Sequence, residues 1–232
     1  MNSETDKTAI RNAATVIVLR NRETEPSILM GQRGATAAFM PNKFVFPGGA
    51  VDPDDAHVPL AAPLPTLCSA RLTDDARGIT PHALGAAAIR ELWEETGLVL
   101  GSRIPWQSPP PDWASFARLG FTPDASSLQF IFRAITPPGR PRRFDARFFL
   151  VDAGAISTDL DDFSAASDEL SHLQWVSLDR ARHFDMPFIT EVVLAEIEAR
   201  VTETAPPDSI PFFKNDDEQS LFLRLKGERA GG

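Results

Sequence analysis

Arg90-Glu91-Leu92-Trp93-Glu94-Glu95-Thr96-Gly97-Leu98 is the stretch on which the reading of this chain turns. It closes a helix whose ends are written in the sequence. Thr80 is a good N-cap and Pro81 suits the first helical position. Gly97 can take the left-handed position past the last turn, with Leu98 as the apolar contact beyond it. At about 100° per residue, Glu91, Glu94 and Glu95 share one stripe, because i, i+3 and i+4 are neighbours on a helix. Ala88, Ile89, Leu92 and Trp93 fall on the opposite side and would bury it. Three carboxylates on one stripe repel each other, and Arg90, four residues before Glu94, supplies a single positive charge. Hard divalent cations take oxygen ligands, and Mg²⁺ commonly combines a few carboxylates with substrate phosphates. The face therefore suits Mg²⁺ or Mn²⁺. Taken alone, the pattern also fits a solvated acidic face. The residues upstream tip the balance: Phe46-Pro47-Gly48-Gly49 reads as a strand ending in a turn where backbone can approach a ligand, and a free Gly49 carbonyl there could complete a metal's coordination.

The surrounding composition is that of a globular protein. The chain has 232 residues, a net charge of −9, 43% hydrophobic and 24% charged residues, which excludes a wholly disordered chain. No run approaches the ~20 apolar residues of a membrane helix, so no span is expected. The acidic balance argues against broad binding to nucleic acid or anionic membrane. Cys68 is the sole cysteine, so no intrachain disulfide can form, in agreement with a reducing compartment. The polar start MNSETDKTAIRN has no apolar signal core, and a cytoplasmic location is the expectation.

Strands are expected at 14–19, 27–32, 43–46, 128–135, 146–151 and 173–176, with one more in the tail around 210–225. A short amphipathic helix is expected at 112–119 and a longer one at 187–200. Residues 50–80, rich in Pro, Asp and Ala, show no sustained periodicity and read as loop with a helical turn. Strands and helices mix without regular alternation, so the fold class is α/β or α+β: a single layered domain over residues 10–225 with an insert at about 50–80.

With both halves of the pattern in view, Gly48-Gly49 and Arg90 to Leu98, the sequence resembles the Nudix hydrolase family, whose signature is G-x5-E-x7-R-E-U-x-E-E-x-G-U with U a bulky aliphatic residue. Gly49 and Arg90 are 41 positions apart against 14 in the signature, an excess of 27. The first glutamate of the signature has no clear match: counting back from Arg90 reaches His82, counting on from Gly49 reaches Asp55, and neither is assigned its role. An insertion within the box, together with Thr136-Pro137-Pro138 and the run from Arg142 to Phe149, resembles the coenzyme A diphosphatase branch. The resemblance implies an α/β/α sandwich around a mixed sheet. It also implies a divalent-metal-dependent hydrolase splitting the diphosphate of a nucleotide-linked small molecule, coenzyme A or its acyl esters. The alternatives are another nucleoside diphosphate derivative, or a catalytically silent nucleotide sensor. Glu91, Glu94, Glu95 and Gly49 would hold metal, Arg90 would orient a carboxylate, and Glu91, Glu95 or Glu169 would take the proton from water. Glu169, with Asp168 in reserve, is chosen because the family often places an acid in a loop before a strand such as Leu173 to Val176.

Arg140, Arg142, Arg143 and Arg147 concentrate positive charge in an acidic protein. They fit either recognition of substrate phosphates or a solvated turn, and Arg143 and Arg147 are the expected substrate-binding pair. Alternation puts Arg143, Asp145 and Arg147 on one strand face and Phe144, Ala146 and Phe148 on the other. His57, His82, His172 and His183 show no metal-ligand spacing, and Cys68 reads as a buried or incidental thiol rather than a nucleophile. No nucleic-acid or membrane partner is expected, and a homo-oligomer is compatible with the sequence.

Overall fold

A computed structural model describes residues 9–37, 39–203, 205–215 and 219–227. The chain begins with β1 (Ile10–Arg20), β2 (Ser27–Arg33), β3 (Phe44–Val45) and β4 (Gly48–Ala50), followed by α1 (Thr66–Thr73) and α2 (Pro81–Thr96). Next come β5 (Gly101–Ser102), α3 (Ala114–Arg118), β6 (Thr122–Pro123), β7 (Gln129–Ile135) and β8 (Arg143–Asp152). The chain continues through β9 (Leu170–Ser177), α4 (Leu178–Ala181), α5 (Phe188–Glu198), β10 (Ile210–Asn215) and β11 (Ser220–Leu225). None of these helices is long and apolar enough to cross a membrane.

Nine strands form one mixed sheet in the order β11-β10-β7-β8-β1-β2-β3, with β4 added beside β1 and β9 beside β2. β1 pairs parallel with β8 over ten residues, and β7 pairs parallel with β10; the other pairings are antiparallel. The middle of β1 is apolar on both faces because both are covered, as central strands of layered sheets are. Ala14, Val16 and Val18 meet Leu84, Ala88 and Leu92 of α2. Ile17 and Leu19 share the other layer with Val193, Leu194 and Ile197 of α5. The result is the expected three-layer α/β/α arrangement.

α2 begins and ends where its cap residues place it. The Thr80 hydroxyl accepts from the Ala83 amide at 3.2 Å, Pro81 follows, and Gly97 sits at φ 75°. Leu84, Ile89 and Leu92 are fully buried, each contributing about 1.5–3 kcal/mol of apolar transfer. Two expectations need correction. Gly48-Gly49 is not the turn after a strand but part of β4, where Gly48 pairs Thr15 and Gly49 pairs Ala14. The insert is not loop with a single turn, since it carries the eight-residue α1.

Candidate active site

The carboxylate face of α2 does not lie in solvent. Glu95 is 1% exposed and Glu91 8%, and only Glu94 is partly open. Both buried acids meet β4. The Gly48 amide donates to Glu95 Oε2 at 2.7 Å. Glu91 presses on Gly49 so closely that a Cβ there would lie 2.5 Å from each carboxylate oxygen. Only glycine admits the acid at this point, and the long insert does not separate the two halves of the pattern.

Arg90 is the hub of the face. Its Nε and Nη2 donate to the two oxygens of Asp55, each at 2.9 Å. Nη2 also reaches the Ala50 carbonyl at 3.0 Å, while Nη1 donates to Glu91 Oε1 at 2.9 Å and Glu94 Oε2 at 3.1 Å. Burial opposes the charge on Arg90, yet the Asp55 hydrogen bonds and the surrounding carboxylates hold its pKa above the ordinary arginine value. Asp55 is itself 2% exposed and accepts from the Asp52 amide at 2.8 Å, closing a capping box on the 3₁₀ helix Pro53–His57.

Asp55 is the residue that sequence reasoning missed. It lies six positions after Gly49, where the signature has its first glutamate, and the count itself was the available signal. The excess of 27 residues therefore falls between Asp55 and Arg90.

The acids are held at high electrostatic cost. Burial pushes Glu91 up to about 7, with Arg90 pulling it down and Glu94 and Glu169 pushing it further up. Burial lifts Glu95 well above the carboxylate range, the charge of Glu91 adds to this, and the Gly48 amide offsets only part. Glu94 is raised too, first by burial. Glu95 Oε1 is buried without a hydrogen-bond partner, a condition that costs about 1–3 kcal/mol for an ordinary acceptor. An oxygen left in that state beside two more carboxylates fits a hard cation. Among the described residues, no three His, Cys, Asp or Glu side chains are already gathered as a metal-ligand cluster. Glu91, Glu94 and Glu95 thus offer donors that further oxygens, such as substrate phosphates, would complete.

Glu169 stands across from α2, just before β9, and pairs with Arg33 Nη2 at 2.9 Å. Its charge reaches both Glu91 and Glu95. Asp168 is exposed and does not line the cavity described next. That cavity, about 360 Å³, opens between the β1–β8 face and the start of α5. Gly48, Gly49, Arg33 and Glu169 line one end. Arg33 Nε is buried without a partner there; sequence reasoning did not single it out, because nothing in GQRG marks it.

Arg143 and Arg147, expected to bind substrate, do not line the cavity. The alternation along β8 places them on the face opposite the cavity, whose floor is Phe144, Ala146 and Phe148. Arg143 is buried and donates to the carbonyls of Thr136 and Asn215. Arg147 is fully buried, donates to Asn12 and to the Asp145 carbonyl, and shares Asp145 with Arg133. Burial lowers the pKa of Arg147 to about 10. Arg140 and Arg142 line the cavity instead.

No protein-family model matches the chain. Over 179 residues, 72% of the chain, it is 34% identical to “Putative nudix hydrolase 7” of Caenorhabditis elegans, and it spans about half (51%) of that relative's length. A crystal structure of a NUDIX hydrolase from Alicyclobacillus acidocaldarius superposes with a TM-score of 0.65 at 28% identity, covering 86% of this chain and 99% of that one. With the Gly48-Gly49 strand, the Arg90 clamp and the Glu91, Glu94 and Glu95 face in place, these likenesses support the Nudix hydrolase family for this chain.

Proposed function

We propose that the protein is a divalent-metal-dependent pyrophosphohydrolase that cleaves the diphosphate of a nucleotide-linked small molecule. The observation that carries this reading is the unpartnered, buried Glu95 Oε1, with Glu95 bonded to Gly48 and Glu91 packed on Gly49, the two glycines that line an open cavity. Glu91, Glu94 and Glu95 would hold Mg²⁺ or Mn²⁺, with the Gly49 carbonyl as a further oxygen. The cation neutralises phosphate charge and lowers the pKa of bound water. Arg33 is placed to meet a phosphate oxygen, and its exchange of Glu169 for substrate would leave that carboxylate free. Glu169, Glu91 and Glu95 are the groups available to take the proton as water attacks phosphorus. Arg90 touches no substrate. It fixes Glu91 and Glu94 and is itself fixed by Asp55.

Within that class, coenzyme A and its acyl esters are the first substrates to test, because the excess between Asp55 and Arg90 sits inside the box as in the branch this sequence resembles. The test is a panel of coenzyme A, NADH, ADP-ribose and a nucleotide sugar, with products identified by mass spectrometry. Chelation should abolish turnover and Mg²⁺ or Mn²⁺ restore it. Glu94→Gln and Glu95→Gln should each lose at least about two orders of magnitude in kcat. Full turnover in metal-free buffer, or wild-type rates in both variants, would overturn the reading.

A further inference from the structure

From Gly48, Gly49 and Glu169 the cavity continues along β1, and Arg11, Arg140 and Arg142 also line it. Arg11, Ala13 and Thr15 project from one face of β1 and all line it. Thr15 is in register with Gly48, while Arg11 is in register with Phe144, next to the β7–β8 connection that carries Arg140 and Arg142. Four residues of strand separate the two ends, about 13 Å. A single phosphate cannot touch both.

The side chains of Arg11, Arg140 and Arg142 make no hydrogen bond or ion pair among the described residues. Arg103, Arg118 and Arg180 also lack a carboxylate partner among the described residues, but Arg11, Arg140 and Arg142 together line one cavity. Arg20, Arg33, Arg90, Arg133 and Arg182 all pair with carboxylates. Three unpaired guanidinium groups on one cavity rim repel each other and suit an anion that arrives with the ligand. Between the two ends the floor is apolar: Phe144, Ala146 and Phe148 from β8, with Phe39 edge-on to Phe144 at 5.2 Å. Phe188, 70% exposed, stands at the rim on the first turn of α5. An aromatic floor between two polar ends suits a ring-bearing body with charge at both extremities.

We propose that the Arg11, Arg140 and Arg142 end binds a second anionic group of the substrate. That group is a phosphate monoester carried on the ring-bearing part of the ligand, apart from the diphosphate placed at Gly48 and Gly49. These arginines are then specificity-determining residues, and they discriminate between molecules that differ only in that phosphate. The position of the scissile group rests on the pyrophosphohydrolase reading; the anion site itself does not.

Two experiments separate the claims. The first compares kcat/KM for coenzyme A against dephospho-coenzyme A and for NADP⁺ against NAD⁺. In whichever pair is cleaved, the phosphate-bearing member should be preferred by about 10- to 150-fold, the range for a charge-assisted contact. The R140A/R142A double variant, both of whose sites are exposed, should bring the two members to within about threefold of each other. The second is calorimetric binding of adenosine 3′,5′-bisphosphate and of AMP, which needs no turnover. The bisphosphate should bind at least about tenfold more tightly to the wild type and lose that advantage in the double variant. Equal binding of the two nucleotides, binding of neither, or a phosphate preference that survives in the double variant overturns the proposal. Absence of hydrolysis across both pairs and the ADP-ribose and nucleotide-sugar members of the panel, with the binding preference intact, would sink the pyrophosphohydrolase reading and leave this one standing.

Discussion

Replacing Asp55 by alanine tests the clamp on which the carboxylate face depends. Asp55 is buried and supplies two of the five hydrogen bonds that hold the Arg90 guanidinium. Breaking a buried ion pair from one side costs about 3–5 kcal/mol, because a desolvated charge is left behind. Here Arg90 keeps Glu91 and Glu94 as countercharges, so the lower end of that range applies. The Asp52 amide loses its acceptor as well, and the 3₁₀ turn that leads from β4 is uncapped. A loss near 3 kcal/mol follows. For a domain of this size each kcal/mol moves Tm by about 2–4 °C, so Asp55→Ala should melt roughly 6–12 °C lower. Asp54→Ala is the control: Asp54 is exposed, and surface changes of that kind stay within about 0.5 kcal/mol. Thermal unfolding followed by circular dichroism in metal-free buffer reads the difference. If Asp55→Ala melts within about 2 °C of Asp54→Ala, Arg90 is held by the helix acids alone. The assignment of Asp55 to the place of the signature's first glutamate is then refuted.

Two further outcomes follow from buried charge. Glu91 has a folded pKa of about 7 against an ordinary 4.5, so its contribution to stability is fully present below pH ~4.5 and is lost as pH rises through 7; this amounts to about 3 kcal/mol. Unfolding of the metal-free protein should therefore show stability falling from pH 5 to pH 8, and Glu91→Gln should flatten that fall; an unchanged slope contradicts the burial argument. In the insert-side layer, Arg133 donates twice to Asp145 at 2.8 and 2.7 Å, donates to the carbonyls of Asp74 and Asp75, and lies 4.2 Å over the Phe212 ring. Arg147 leaves two buried nitrogens without partners. Arg133→Met should cost about 3–5 kcal/mol in urea unfolding while Arg147→Met costs less than about 1 kcal/mol or stabilises; equal losses would show that the two arginines share Asp145 evenly.

What the sequence made legible follows from which interactions are local. α2 was readable to the residue because Thr80, Pro81 and Gly97 act on the backbone within a turn of themselves. β1 was read as 14–19 and runs from Ile10, because its first residues are held by pairing with β8 and β4, which leaves no mark in its own hydrophobicity. The tail was expected to add one strand and adds two, since β11 presents mostly exposed positions and is recognisable only by its partner β10. α1 has a proline N-cap without a side-chain hydrogen bond and no strong apolar stripe. Cys68 and Leu72 pack it into the core, and Arg71 ties it to the carbonyls of Pro207, Asp208 and Lys226. Those partners lie more than 130 positions away, beyond any local pattern.

The arginines of β8 show the same limit at the site. Alternation sorted Arg143, Asp145 and Arg147 from Phe144, Ala146 and Phe148 correctly, because the period of a strand is fixed by its backbone. It could not say which face lies under helices and which borders a cavity. In a sheet covered on one side only, charge would mark the open face. This sheet is covered on both, and the usual rule inverts: the arginines are buried, held by Asp145, Asn12 and main-chain carbonyls, while the phenylalanines floor the cavity. An apolar floor is what a ligand with a ring or an alkyl portion requires, and phosphate-binding charge then belongs on the rim, where water screens it until the ligand arrives. Arg11, Arg140 and Arg142 occupy that rim, two of them one and three residues from the arginine first chosen. The chemistry inferred for the 140–147 run thus stays in the run, but it moves from the strand into the connection preceding it.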